Sequence, residues 1–309
     1  MGGSMKVIRL SGLAVVMATG SLAAVAVAVG APSGTVKVIG DVRITTSPEE
    51  DFIPSWSPDG RQITYTSYAS GSEEIWIMNA DGTGKKQLTV DPHGDWSPAW
   101  SPNGREILFT SDRTGQNQIW TMATDGSGQR QLTAPASPAS GPPVWSRDPS
   151  WSADGMRIIF TSNRSGKDEN WVMDRDGKNW FRHAQMDGEH WHPSFSPDGK
   201  QVLFSSNRGG EWGLWISDID GSNARRLVPD LRFDNNPSSS WSRDGALIAF
   251  RTADGNMWVA GPNGAGAAMV VRDGTVAGWR SSWSPDGKLL AYTSDRSGNA
   301  DVWVLTLTR

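Results

Sequence analysis

The tightest constraint on what this chain can fold into is a seven-residue signature that it uses six times. Pro54-Ser55-Trp56-Ser57-Pro58-Asp59-Gly60 is followed by Pro98-Ala99-Trp100-Ser101-Pro102-Asn103-Gly104 and Pro149-Ser150-Trp151-Ser152-Ala153-Asp154-Gly155. Pro193-Ser194-Phe195-Ser196-Pro197-Asp198-Gly199 comes next, and the two final copies are Ser239-Ser240-Trp241-Ser242-Arg243-Asp244-Gly245 and Ser281-Ser282-Trp283-Ser284-Pro285-Asp286-Gly287. Their aromatic anchors stand 44, 51, 44, 46 and 42 residues apart. Recurrence at such a period marks a repeat architecture, in which copies of one supersecondary unit bury each other's apolar faces.

Behind each signature runs an alternating stretch such as Ile63-Thr64-Tyr65-Thr66 or Ile107-Leu108-Phe109-Thr110, the pattern of a half-buried strand. A polar loop, Ser111-Asp112-Arg113-Thr114-Gly115 in the second copy, leads to a third strand centred on Trp76, Trp120, Trp171, Trp215, Trp258 or Trp303. Asp81-Gly82, Asp125-Gly126, Asp176-Gly177, Asp220-Gly221 and Asn263-Gly264 then mark tight turns, because Asx-Gly pairs tolerate the positive φ that a hairpin demands. A fourth strand such as Lys86-Gln87-Leu88-Thr89 follows. The unit is a four-stranded antiparallel meander, and its six copies predict an all-β, six-bladed β-propeller over residues 41–309. The sixth unit stops after its third strand at Leu307, whereas Val42-Arg43-Ile44-Thr45, ahead of the first signature, matches Gln87-Leu88-Thr89. This N-terminal strand is expected to complete the last blade and seal an otherwise open edge.

Residues 1–31 read as a targeting segment. Lys6 and Arg9 precede an apolar run to Val29, with small residues at Ala26, Ala28 and Ala31, which is the plan of a secretory signal peptide. An uncleaved membrane anchor is the alternative, and residues 32–40 read as a linker. Either way the propeller is expected outside the cytoplasm, as a secreted, periplasmic or cell-surface monomer that touches membrane only through an uncleaved leader. A net charge of −4 provides no basic footprint for nucleic acid. The absence of cysteine excludes disulfides, thiolate ligands and thiol nucleophiles.

Taken together, the Trp-Ser-Pro-Asp-Gly signature, the Ser-Asp-Arg loops (Ser111-Asp112-Arg113, Ser294-Asp295-Arg296), the Ile-Trp-x-Met strands (Ile75-Trp76-Ile77-Met78, Ile119-Trp120-Thr121-Met122) and the Asp-Gly-Ser/Thr-Gly turns resemble TolB-type β-propeller repeats. The resemblance covers nearly all of 41–309. TolB proper carries an additional α/β domain ahead of its propeller, for which residues 32–40 leave no room, so the resemblance implies the propeller without that domain. Some TolB-like propellers resemble lyases and peptidase-associated domains. The shared motifs are blade scaffold, and a scaffold hosts unrelated activities.

Of the 17 tryptophans, those in the signatures and third strands read as packing. Trp96, Trp145, Trp180, Trp191, Trp212 and Trp279 remain, and four of them lie just before a signature. In a propeller those segments cross to the mouth of the central channel, on the side of the Ser-Asp-Arg loops. Five residues before each anchor stand Asp51, Asp95, Ser146, His190, Asn236 and Gly278, and one step on stand Phe52, Trp96, Arg147, Trp191, Pro237 and Trp279. Asp51, Phe52, Asp95, Trp96, Trp145, Arg147, His190, Trp191, Asn236 and Trp279 are therefore the candidate ligand-binding residues, the structural alternative being aromatics packed between blades. Aromatic platforms beside carboxylates and amides suit a peptide, a protein segment or a carbohydrate, with no cofactor required.

A second expectation is a metal-dependent lyase or hydrolase acting on a polysaccharide or peptide at the same mouth. His190 and His192, two apart on an extended segment, are expected on one side, where with His93, Asp51 or Asp95 they would meet a divalent metal. Carboxylate and amide oxygens there would suit calcium. Glu50, Asp51, Asp95, Asp148, Glu189 and His190 would supply acid–base chemistry. Whether the chain is an enzyme stays open, since neither a Gly-x-Ser-x-Gly elbow nor His-Glu-x-x-His occurs. The recurrent Arg113, Arg164, Arg208 and Arg296 are expected to pair between blades.

Overall fold

Each signature folds into a turn held by its own side chains. Ser57 Oγ donates to Asp59 Oδ1 at 2.6 Å and accepts the Gln62 N–H at 2.9 Å, while Gly60 adopts φ +71°. The same serine–Asx contact recurs at Ser101–Asn103, Ser152–Asp154, Ser196–Asp198, Ser242–Asp244 and Ser284–Asp286. Serine and Asx at this spacing thus satisfy the backbone of the first hairpin, which is why the motif is repeated.

This computed structural model describes Arg9–Leu10, Leu13–Ala14, and residues 36–309 except 135–142, 184–185, 236, 273 and 278–279. Arg9–Leu10 pairs antiparallel with Leu13–Ala14; the rest of the expected leader, and the linker up to residue 35, lie outside the described residues. The first blade is Asp51–Trp56, Gln62–Ser67, Glu74–Asn79 and Lys86–Gln87, in that spatial order. The second opens with Asp95–Trp100, the third with Ser146–Trp151, the fourth with His190–Phe195, the fifth with Ser239–Trp241 and the sixth with Ser282–Trp283. Six four-stranded antiparallel sheets result, as the repeat requires.

Apolar residues of consecutive blades interleave. Ile75, Ile77 and Leu88 of the first blade meet Ile107, Phe109 and Met122 of the second, all buried. The Asx-Gly turns lie against the preceding blade so closely that a Cβ on Gly82 (φ +84°) would stand 2.5 Å from the Ile44 carbonyl oxygen. Only glycine satisfies both the angle and the approach.

The ring closes through Lys37–Arg43, which pairs with Asp301–Thr308 as the outer strand of the sixth blade. The strand begins at Lys37, within the stretch read as linker. Thr45, fully buried, accepts the Val302 N–H at 2.9 Å and donates to Asp301 Oδ1 at 3.1 Å, and Arg43 pairs with Asp301 at 2.7 Å. Thr89 and Thr133 make the same contacts to Ile75 and Glu74, and to Ile119 and Gln118, in the first two blades.

The repeated arginines pair differently from expectation. Arg113, Arg164, Arg208 and Arg296 lie 4.7, 5.3, 4.7 and 3.4 Å from the rings of Trp120, Trp171, Trp215 and Trp303, each within its own blade. The loop that carries each arginine folds back over the outer tryptophan, so the cation meets the nearest aromatic face before it reaches another blade.

Candidate functional site

A backbone irregularity common to four blades aims their side chains at the axis. Strand pairing shifts between Phe52 and Ser55, Trp96 and Ala99, Arg147 and Ser150, and Trp191 and Ser194. Within each shift one residue takes a left-handed conformation: Ile53 (φ 51°), Ser97 (55°), Asp148 (57°) and His192 (48°). Proline follows each of them and provides no N–H for the ladder, which favours a bulge. A bulge breaks the two-residue alternation and re-aims the extra side chain.

Three of the residues at this position meet across blades, and a fourth joins them from the far side. Ser97 Oγ donates to Asp148 Oδ1 at 3.1 Å, and His192 Nδ1 stands 3.4 Å from Asp148 Oδ2. Arg280, the equivalent residue of the sixth blade, donates to the carbonyls of Pro149 at 3.1 Å, Pro193 at 3.4 Å and Asp148 at 3.5 Å. Its side chain therefore spans the channel and, with Asp148 and His192, forms a plug. Burial opposes the Asp148 charge, but His192, Arg147 and Arg280 outweigh it and hold the carboxyl below its ordinary range. Burial also pushes His192 down to about 4 against the pull of Asp148. The imidazole is thus neutral near pH 7, and the two guanidinium groups keep Asp148 ionised there.

The expected site residues divide around this plug. Asp51, Asp95, Ser146 and His190 are buried at blade seams, where their N–H groups donate to Ala300, Glu73, Asn117 and Asp168 of the preceding blade. Asp95 binds Arg113 at 2.5 Å, yet burial dominates and pushes its carboxyl up to about 6. Burial likewise raises Asp51, whose Oδ2 accepts from Ser47. Phe52 is buried against Tyr68, and Trp96 lies half-buried over Gly94. Trp145, Arg147 and Trp191 come together: the guanidinium is 4.5 Å from one ring centre and 3.9 Å from the other, and the rings are 5.3 Å apart. Asn236 and Trp279 lie outside the described residues.

His190 and His192 do not share a side. The left-handed turn at His192 sends it to Asp148, while His190 packs 5.5 Å from the Phe204 ring with Nε2 3.4 Å from the Met186 carbonyl. Among the described residues no three His, Asp or Glu side chains converge as a metal site. The bulge is also why strict alternation does not point to the side chains that meet on the axis. Asp148 and His192 stand among the sequence candidates, whereas Ser97 and Arg280 show only in the blade-to-blade variation three residues before each anchor (Ile53, Ser97, Asp148, His192, Ser238, Arg280). Beyond Arg280, toward the signature turns, the channel widens into a cavity of about 480 Å³ lined by the signature aromatics.

Residues 32–148 and 143–269 match the family described as the TolB beta propeller domain. Over 45 residues, 15% of this chain, the sequence is 38% identical to the Tol-Pal system protein TolB of Syntrophus aciditrophicus (strain SB), and the match spans only 10% of that relative's length. The structure is similar to TolB from Acinetobacter baumannii, with a TM-score of 0.65 and 21% identity over 81% of this chain and 64% of that one. It is also similar to a gluconolactonase from Xanthomonas campestris, with a TM-score of 0.66 and 16% identity over 87% and 89% of the two chains. At such identities the structural likeness speaks for the fold alone. The family match runs through most of the chain, and the protein therefore belongs to the TolB β-propeller domain family.

Proposed function

We propose that this protein is an extracytoplasmic binding propeller that captures an extended peptide or protein segment at the crossing-loop mouth of its channel. The observation that carries this reading is the Trp145–Arg147–Trp191 cluster, three residues outside the repeat scaffold that meet beside the plug. Stacked aromatics and an arginine are the side chains that anchor protein interfaces. A glycan would use the same platforms, and the location rests on the leader pattern in residues 6–31. Arrayed extended peptides and oligosaccharides probe the site directly. Trp145→Ala and Arg147→Ala should each weaken capture by about tenfold or more, as expected for anchor residues. Capture equal to that of the unmodified protein dismisses this site.

A hydrolase or lyase acting at the same mouth is the second reading, favoured by the Asp148–His192 pair. The imidazole is neutral near pH 7 and stands beside a carboxylate, the arrangement of a general base, though burial makes it a weaker base than free histidine. It predicts turnover of lactone or uronate substrates that Asp148→Asn and His192→Asn both abolish; turnover that survives both variants removes it.

A further inference from the structure

We infer that the cavity on the signature-turn side of Arg280 is a separate binding site for a small carboxylate ligand. Its volume of about 480 Å³ falls within the roughly 300–1,000 Å³ of small-molecule sites. The repeat makes most of its wall uniform, with proline and tryptophan from blades one and two and tryptophan from blade three. Blades five and six depart from the repeat together. Where the first four blades have Pro54, Pro98, Pro149 and Pro193, these two have Ser239 and Ser281, and both serines line the cavity. Ser239 Oγ is buried without a hydrogen-bond partner, and Ser281 Oγ meets Ser240 Oγ at 2.9 Å.

Among the described residues, the only charged ones that line the cavity are two arginines from these same blades. Arg280 stands at the inner end, and Arg243 stands at the outer rim where other copies have proline or alanine. Arg243 has no hydrogen-bond or ion-pair partner among the described residues. Its neighbour Asp244 does not neutralise it, because that carboxylate is held by Arg309 and Ser242. Asp59, Asp154, Asp198 and Asp286, around the same rim, are each bonded back into their own turns. Asp148, whose carboxylate acts on Arg280, directs its side-chain contacts to Ser97, His192 and Arg147, and none of these four lines the cavity.

Both arginines and the two serines that replace proline thus lie on the blade five–six side, while signature aromatics and serines line the cavity all round. That arrangement fits an amphipathic organic acid whose carboxylate lies on the blade five–six side and whose body stacks on the signature tryptophans. A free acid and the C-terminus of a peptide share this chemistry.

The test is calorimetric titration of the full chain with benzoate, D-galacturonate and N-acetyltryptophan, each paired with its carboxamide. Binding of galacturonate points to a free acid, and binding of N-acetyltryptophan alone points to a peptide end. In either case Arg243→Ala, a residue that Ala153 shows the turn to tolerate, weakens binding about tenfold, as loss of a charge-assisted contact should. Arg147→Ala, at the other mouth, leaves it unchanged, which separates this site from the peptide-binding one. The inference is overturned if no acid binds at millimolar concentration, if the amides bind equally, or if Arg243→Ala binds like the parent protein.

Discussion

Thr45 and Thr89 make the same contacts at very different chain separations, and a matched pair of valine substitutions isolates what ring closure contributes. Each hydroxyl accepts a buried N–H at 2.9 Å and donates to a carboxylate. Valine keeps the shape and removes both bonds. An unsatisfied buried N–H costs about 1–3 kcal/mol and a lost bond to a charged group about 1.5–3, so each variant should lose roughly 3–5 kcal/mol. For a domain of this size that lowers the melting temperature by roughly 10 °C. The two differ in what happens when the outer strand detaches. Thr89 lies 15 positions from Glu74, whereas Thr45 lies 256 positions from Asp301. By the logarithmic loop-closure rule, that ratio makes re-docking of the N-terminal strand about 2.5 kcal/mol less favourable. Thr45→Val should therefore open the sixth blade before the ring unfolds, whereas Thr89→Val should not. Native-state hydrogen exchange reads this at the Val304 and Leu305 amides against those of Trp76 and Ile77. Equal protection in the two variants, or a Thr45→Val melting point at the parent value, would refute the closure argument.

Three further outcomes are expected. Deleting residues 36–46 removes the outer strand of blade six and should lower the cooperative melting transition of the whole ring; a calorimetric trace unchanged from the parent contradicts this. Gly82→Ala places a Cβ 2.5 Å from a carbonyl oxygen and imposes φ +84°, whereas Gly71→Ala at φ +97° meets nothing within 4 Å. The second should cost about 1–2 kcal/mol for its backbone alone, and the first clearly more in the same denaturant titration. His183 and His192 are both pushed by burial from 6.5 to about 4. The unfolded chain binds their protons first, so their contribution is complete above pH 6.5 and is lost as pH falls toward 4. Each accounts for about 3 kcal/mol at most. Asp95, raised to about 6, acts with the opposite sign, because its contribution is lost as pH rises through 6. His192→Asn should flatten the acid limb of a stability–pH curve, and an acid limb as steep as the parent's would falsify the assignment.

The ring was legible in the sequence because its determinants are local and repeated: Ser57 and Asp59 build one turn, Asp81 and Gly82 another, and copying them fixes the meander. Even the closing strand could be read, since Ile44-Thr45 uses the same leucine/isoleucine–threonine pair as Leu88-Thr89 for the same buried bonds. The channel was harder to read, for a definite reason. Strict alternation assigns Asp51, Asp95 and His190 to one face, and a single left-handed residue before each proline shifts that count by one. The side chains on the axis are then Ser97, Asp148, His192 and Arg280, while the expected polar ring moves into the seams between blades. Proline at 54, 98, 149 and 193 was the visible trace of that shift. Arg280 stands out from its counterparts three residues before each anchor, but no local rule shows where its side chain reaches, because the carbonyls it spans to belong to residues 87, 131 and 132 positions away. A repeat protein thus encodes its scaffold in what the copies share, and its site in contacts between positions where they differ.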